Sequence, residues 1–184
     1  LVKVGKPAYC ELILPDNMPQ IWQIASIVAV SVDNSPIGAF ALADSLKEDS
    51  LQAIQRLHQH NIDVVIMSGD QQSVVDYVAQ QVGVKTAQGN CSPRDKATYI
   101  ERLRQQGKVV AMVGDGVNDA PALAMANVSF AMKSGSDVAE QTASATLMQH
   151  SVDQLVDGLM ISRATLKNIK QNLFFALIYN VLGI

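Results

Sequence analysis

The sequence predicts an α/β fold, a parallel sheet with helices on both faces, and three observations carry that reading. Val64-Val65-Ile66-Met67 and Val109-Val110-Ala111-Met112-Val113 contain no polar residue, as strands covered on both faces require. Amphipathic helical stretches separate these runs, and strands that alternate with helices assemble as βα units. Each run is followed by glycine and aspartate, which suit a turn at the carboxyl edge of such a sheet, where ligands bind.

The elements follow in chain order. Leu1-Val2-Lys3-Val4-Gly5 reads as a strand in progress. Strands over 27–32 and 37–42 flank Asp33-Asn34-Ser35-Pro36, a turn-rich tetrapeptide, and so read as a hairpin. A helix over 48–60 is amphipathic through Leu51, Ile54 and Leu57, with Ser45-x-x-Glu48 as a capping box. A strand over 64–67 precedes helices over 71–82 and 93–105. The second of these has Ser92 as N-cap, Pro93 at its first position and Asp95 in its first turn. A strand over 109–113 leads to a helix over 120–126. Short strands near 128–131 and 146–148 enclose a helix from Asp137. Ser151-x-x-Gln154 then caps a long helix that runs to the C-terminus.

Composition narrows the function classes. The 184 residues allow one domain, or one plus a fragment. Fourteen Lys and Arg against seventeen Asp and Glu give a net charge of −3, so no basic field exists to hold nucleic acid. Aromatics at 5% disfavour a base-stacking surface. Cys10 and Cys91 form no metal-ligand spacing, which excludes a disulfide scaffold and suits a reducing compartment. Both ends read as cut. The apolar run over 173–184 is shorter than the roughly 20 residues of a membrane span. It reads either as a buried helix or as the first half of a span.

The chemistry sits at the strand ends. Ser68-Gly69-Asp70 follows the first apolar strand. There Ser68 offers a hydroxyl, and Gly69 lets a backbone N–H approach an oxyanion closely. Gly114-Asp115-Gly116-Val117-Asn118-Asp119-Ala120-Pro121 follows the second. Asp115 and Asp119, four residues apart around a glycine turn, put hard oxygen ligands near one point, which suits Mg²⁺. Between them, Lys96 in the first turn of a helix brings positive charge for a transferring phosphoryl group.

These residues carry a resemblance. Gly114–Pro121, with Ala122-Leu123, resembles the hinge motif of P-type ATPases, members of the haloacid-dehalogenase superfamily. Ser68-Gly69-Asp70 looks like that family's Thr-Gly-Asp, with Ser keeping the hydroxyl. Asp44-Ser45-Leu46-Lys47-Glu48-Asp49 resembles its Asp-x-Leu-(Arg/Lys)-x-(Asp/Glu) segment, and Pro93 to Lys96 matches its Pro-x-x-Lys. The heavy-metal branch is the most similar. Val2 to Pro7 looks like the end of a nucleotide-binding domain, with Lys6 where such pumps carry Asn. The helix with Tyr179-Asn180 resembles one that carries a Tyr-Asn pair in Cu(I) pumps, where zinc and cadmium pumps have a Lys. Lys133 and Asn127 stand where relatives often have Gly and Asp, near a loop flanking the site.

The resemblance implies a Rossmannoid fold whose last helix begins a transmembrane span, and an ATP-driven, Mg²⁺-dependent Cu(I)-exporting pump. In it Ser68, Gly69, Asp70 and Lys96 would serve the phosphoryl group, Asp70 and Lys96 also contacting the nucleotide's phosphates. Asp115 and Asp119 would bind Mg²⁺, Asn118 and Asp119 would hold the loop, and Tyr179 and Asn180 would offer copper ligands. The family's Asp-Lys-Thr-Gly-Thr, His-Pro, Thr-Gly-Glu and Cys-Pro-Cys motifs do not occur here. That places the phosphorylated aspartate, on a strand in the middle of this sheet, outside the chain. The implied organisation is a nucleotide-domain remnant over 1–35, a phosphorylation domain over 36–160, and a linker with the start of a membrane helix over 161–184. Residues 1–170 would then lie on the cytoplasmic side of a bacterial membrane. The implied partners are copper, the rest of the pump, membrane lipid and a copper chaperone, with no nucleic acid. A zinc or cadmium pump, a soluble phosphatase of the superfamily and a non-catalytic Mg²⁺- or nucleotide-binding module are the alternatives.

Overall fold

The computed structural model describes residues 1–15, 17–43, 45–133, 136–148 and 151–183, without the side chains of Gln20 and Gln23. Its contacts form two compact units, 1–46 and 47–184. The first holds β1 (Val2–Gly5), α1 (Gln20–Ile24), β2 (Ser26–Val32) and β3 (Ser35–Leu42), with the strands antiparallel in the order β1-β2-β3. The hairpin turn is tighter than the tetrapeptide suggests. Asp33 and Asn34 alone make it, with φ of 48° and 63°, the pair of positive values of a type I′ turn. Ser35 and Pro36 already belong to β3, and a proline fits there because β3 pairs on one side only.

The second unit runs α2 (Ser50–Gln59), β4 (Val65–Met67), α3 (Gln72–Val82), β5 (Thr86–Gln88), α4 (Pro93–Gln105), β6 (Ala111–Gly114), α5 (Ala120–Met125), β7 (Val128–Met132), α6 (Asp137–Thr142), β8 (Ala145–Leu147) and α7 (Val152–Gly183). The parallel sheet appears as two ladders, β4-β5 and β6-β7-β8, and among the described residues no ladder joins β4 to β6. Parallel strands occur almost only where helices cover both faces of the sheet. One core packs Ala53, Ile54 and Leu57 of α2 with Ala79, Val82, Val84 and Val156. A second packs Leu123, Ala131 and Ala139.

Two local expectations fail for physical reasons. Helix α2 starts at Ser50 with Asp49 as N-cap, so the Ser45–Glu48 capping box does not form. The Asp49 carboxylate instead accepts the hydroxyl of Ser151, just before α7. Strand β5 was invisible in the sequence because Thr86-Ala87-Gln88 offers one apolar side chain, and its ladder to β4 is what makes it a strand.

Helix α7 is continuous for 32 residues, about 48 Å at 1.5 Å per residue. Leu155 and Val156 are buried, whereas 161–183 is exposed apart from Ile178. Among the described residues no helix is long and apolar enough to cross a membrane.

Candidate active site

Strand β4 delivers Ser68-Gly69-Asp70 at its carboxyl end, and a second loop locks that turn from below. The Ser68 N–H donates to the Gln88 carbonyl at 3.0 Å, and the Ser68 carbonyl accepts from Cys91 N–H at 2.9 Å. The Asp70 carbonyl accepts from Asn90 N–H at 2.7 Å. Within the turn, Ser68 Oγ donates to Asp70 Oδ2 at 2.7 Å and accepts the Asp70 N–H at 3.2 Å. Gly69 and Asp70 are exposed. Gln72, Gly89 and Asn90 are the supporting residues that sequence reasoning missed. Gln72 Oε1 accepts the Gly89 N–H at 2.6 Å, and a Cβ on Gly89 would lie 2.7 Å from Gln72 Cα and 2.8 Å from the Asp70 carbonyl oxygen. The Gly89-Asn90 dipeptide, a turn signal, was the available hint.

The same loop runs on into α4. Ser92 caps that helix in a reciprocal box with Asp95: Ser92 Oγ accepts from Asp95 N–H at 3.2 Å, and Asp95 Oδ2 accepts from Ser92 N–H at 2.8 Å. Those hydrogen bonds, the Ser92 hydroxyl first, hold the Asp95 carboxyl below its ordinary pKa. One turn on, Lys96 Nζ donates to Asp119 Oδ1 at 2.8 Å, both side chains largely buried. Cys91, beside the Ser68 turn, has its thiol pKa pushed up by burial, and so stays protonated at neutral pH.

Strand β6 delivers the other half. After Gly114 the chain turns through a 3₁₀ segment, Val117–Asp119, into α5. Asp119 Oδ2 accepts the Asp115 N–H at 3.3 Å, so both carboxylate oxygens of Asp119 are engaged by protein donors. A Cβ on Gly114 would lie 2.7 Å from Asp119 Cβ, which only glycine avoids. Asp115 and Asn118 are exposed, and the Asp115 carbonyl accepts from Ser136 N–H, the cap of α6, at 2.9 Å. The described residues contain no group of three or more His, Cys, Asp or Glu able to hold a metal. The exposed Asp115 carboxylate alone would suit Mg²⁺, which keeps most of its waters and takes its remaining ligands from substrate.

The structure therefore joins Ser68-Gly69-Asp70, Lys96, Asp115 and Asp119 through one continuous run of contacts. Asp44 lies outside the described residues. Lys133 follows β7 at the site end of the sheet, whereas Asn127 sits at the opposite end, its Oδ1 accepting the Val110 N–H at 2.9 Å ahead of β6. Tyr179 and Asn180 are exposed near the end of α7, remote in sequence from the strand ends.

The turns after β4 and β6 thus hold Ser68, Asp70, Asp115 and Asp119, with Lys96 paired to Asp119. A family model described as haloacid dehalogenase-like hydrolase matches residues 2–127. The chain belongs to this family. Within it, the chain is 76% identical over 183 residues to a probable cation-transporting ATPase of Haemophilus influenzae, covering all of this chain and 25% of that protein. It is 46% identical over 157 residues to a copper-exporting P-type ATPase of Vibrio cholerae, covering 85% of this chain and 17% of that one. The crystal structure of a zinc-transporting PIB-type ATPase in the E2.Pi state superposes with a TM-score of 0.84 at 31% identity, covering 99% of this chain and 31% of that one. The chain thus spans about a quarter or less of the curated relatives it matches.

Proposed function

We propose that this haloacid-dehalogenase-like segment works within an ATP-driven heavy-metal pump that exports copper, and that it supplies the groups that stabilise phosphoryl transfer. The observation that carries this reading is the Lys96–Asp119 pair, which fastens the loop after β6 to α4, whose preceding loop is itself hydrogen-bonded to the turn after β4. The γ-phosphoryl of ATP passes to an aspartate carboxylate outside this chain, forming an acyl phosphate and releasing ADP. Water then breaks that bond and returns the carboxylate and phosphate. That no ladder joins β4 to β6 among the described residues leaves room for a strand from the rest of the pump bearing that aspartate.

Within this reading each residue has a proposed role. The Gly69 N–H and, on leaving Asp70, the Ser68 hydroxyl would donate to the phosphoryl oxygens, and Lys96 would add positive charge. Asp115 is the carboxylate that would hold Mg²⁺, which when bound neutralises charge on the transferring group. Asp119 and Asn118 keep the loop in place. The apolar end of α7 enters lipid, with Tyr179 and Asn180 facing the copper path. The 46% identical relative favours copper, while the zinc-transporting structural relative makes zinc the second reading. ATP hydrolysis by the intact pump, measured with Cu(I) and with Zn(II), separates them: the copper reading predicts stimulation by Cu(I) alone, and stimulation by Zn(II) alone overturns it. Export predicts ATP-driven copper uptake into inside-out vesicles. Its absence there, with uptake into right-side-out vesicles, reverses the direction.

A further inference from the structure

Helix α7 carries its positive charges where its polar and apolar parts meet. Arg163, Lys167 and Lys170 are spaced four and three residues apart, which stacks them on one helix face. With Leu166, Gln171 and Phe174 they line one shallow groove. All three bases are exposed, and among the described residues none has an ion pair. The last acid of the chain is Asp157, so nothing after it offsets their charge. The apolar run begins at Leu173, about 4.5, 9 and 15 Å beyond Lys170, Lys167 and Arg163 at 1.5 Å per residue. The polar layer of a bilayer leaflet is about 5–8 Å thick. If Leu173 lies at the hydrocarbon edge, Lys170 stands within that layer, Lys167 about 1 Å beyond it and Arg163 farther out in water, all within a Debye length of about 8–10 Å of the headgroups.

We propose that the Arg163–Lys167–Lys170 stripe binds the anionic headgroups of a phospholipid bilayer and so fixes the depth of α7. This rests on the reading that the end of α7 enters lipid. Solvent-facing bases on a wholly aqueous helix would have no reason to crowd one face within three turns of an apolar end. Charge complementarity commits the stripe to an anionic membrane surface. Each base near such a surface contributes about a fivefold change in affinity.

The test is sedimentation of the full chain with vesicles of phosphatidylcholine alone and of phosphatidylcholine with phosphatidylglycerol at 7:3, in low and high salt. The expected result is binding at least tenfold tighter to the anionic vesicles, with the difference collapsing in high salt. The triple variant Arg163→Gln, Lys167→Gln, Lys170→Gln should bind both vesicles as the wild type binds the neutral ones. Since these side chains are exposed and have no ion pair among the described residues, its thermal melt should match the wild type, which excludes a folding artefact. Equal binding of the wild type to both vesicles overturns the headgroup site and leaves lipid entry of α7 standing. Anionic preference that survives in the triple variant also overturns the site. Binding to neither vesicle overturns both.

Discussion

At the residue scale, the site depends on how few atoms hold two loops together. Lys96→Met leaves the largely buried Asp119 carboxylate without its cation. Removing one partner of such a pair costs several kcal/mol when burial is complete. With partial exposure the expectation is a loss of about 1–3 kcal/mol in chemical denaturation, and loss of phosphoenzyme in the intact pump. Gly114→Ala should do similar damage for a steric reason, because its Cβ meets Asp119 Cβ rather than a flexible tip. Its melting midpoint should fall, and Lys96→Met in that background should cost little more, since both substitutions undo the same contact. The Asp95 cap gives a pH dependence with a definite sign. Its folded pKa is depressed, so its contribution is present above the unfolded value of about 3.9 and lost as pH falls through the lower folded one. Asp95→Asn should therefore flatten the acid limb of the stability curve below about pH 4 and leave the neutral region's pH dependence unchanged. The turns with Ser68-Gly69 and with Asp115 and Asp119 were legible as strand ends because they follow apolar strands, and the start of α4 near Lys96 because Ser92-Pro93 marks it. Gln72 and Gly89 were not, because a glutamine and a glycine in ordinary helix and loop context signal nothing until β5 brings the two loops together.

At the element scale, α7 is anchored through its first turns. Arg56 on α2 reaches both Asp153 and Asp157, and those hydrogen bonds, Asp157 first, raise its guanidinium pKa. The fork is open to solvent, so salt should screen it. Wild-type stability should fall modestly with added chloride, whereas Arg56→Gln should start lower and lose the salt dependence. An unchanged salt response in the variant would show that the fork contributes nothing. Ending the chain after Gln171 should raise solubility by removing exposed Leu173, Phe174, Phe175, Leu177 and Leu182, with the cooperative melt retained because Leu155 and Val156 remain. Loss of that melt would make the apolar end part of the core. Helix boundaries were legible where chemistry marks them, as at Ser92-Pro93, and failed at Ser45–Glu48, where tertiary pairing of Asp49 with Ser151 overrides a local cap. The antiparallel hairpin was legible, but its turn was placed two residues too wide because Pro36 tolerates an edge strand.

At the scale of the whole molecule, the parallel strands fall into two ladders, and the site residues line the ends of both. Sequence could supply the α/β class from alternation and apolar runs. Periodicity alone could not supply which strands pair among the described residues, since pairing partners leave no mark in strands of three or four residues. The central claim is that this chain holds the phosphoryl-stabilising half of a transfer site whose nucleophile lies elsewhere. Hydroxylamine-sensitive labelling from γ-labelled ATP tests it most directly, applied to the 184-residue chain, to the intact pump, and to the pump carrying Asp115→Asn. The account predicts no label on the chain alone, label on the intact pump, and strong loss of label with Asp115→Asn at every Mg²⁺ concentration. Hydroxylamine-labile label on the chain alone, or wild-type labelling by Asp115→Asn, would contradict it.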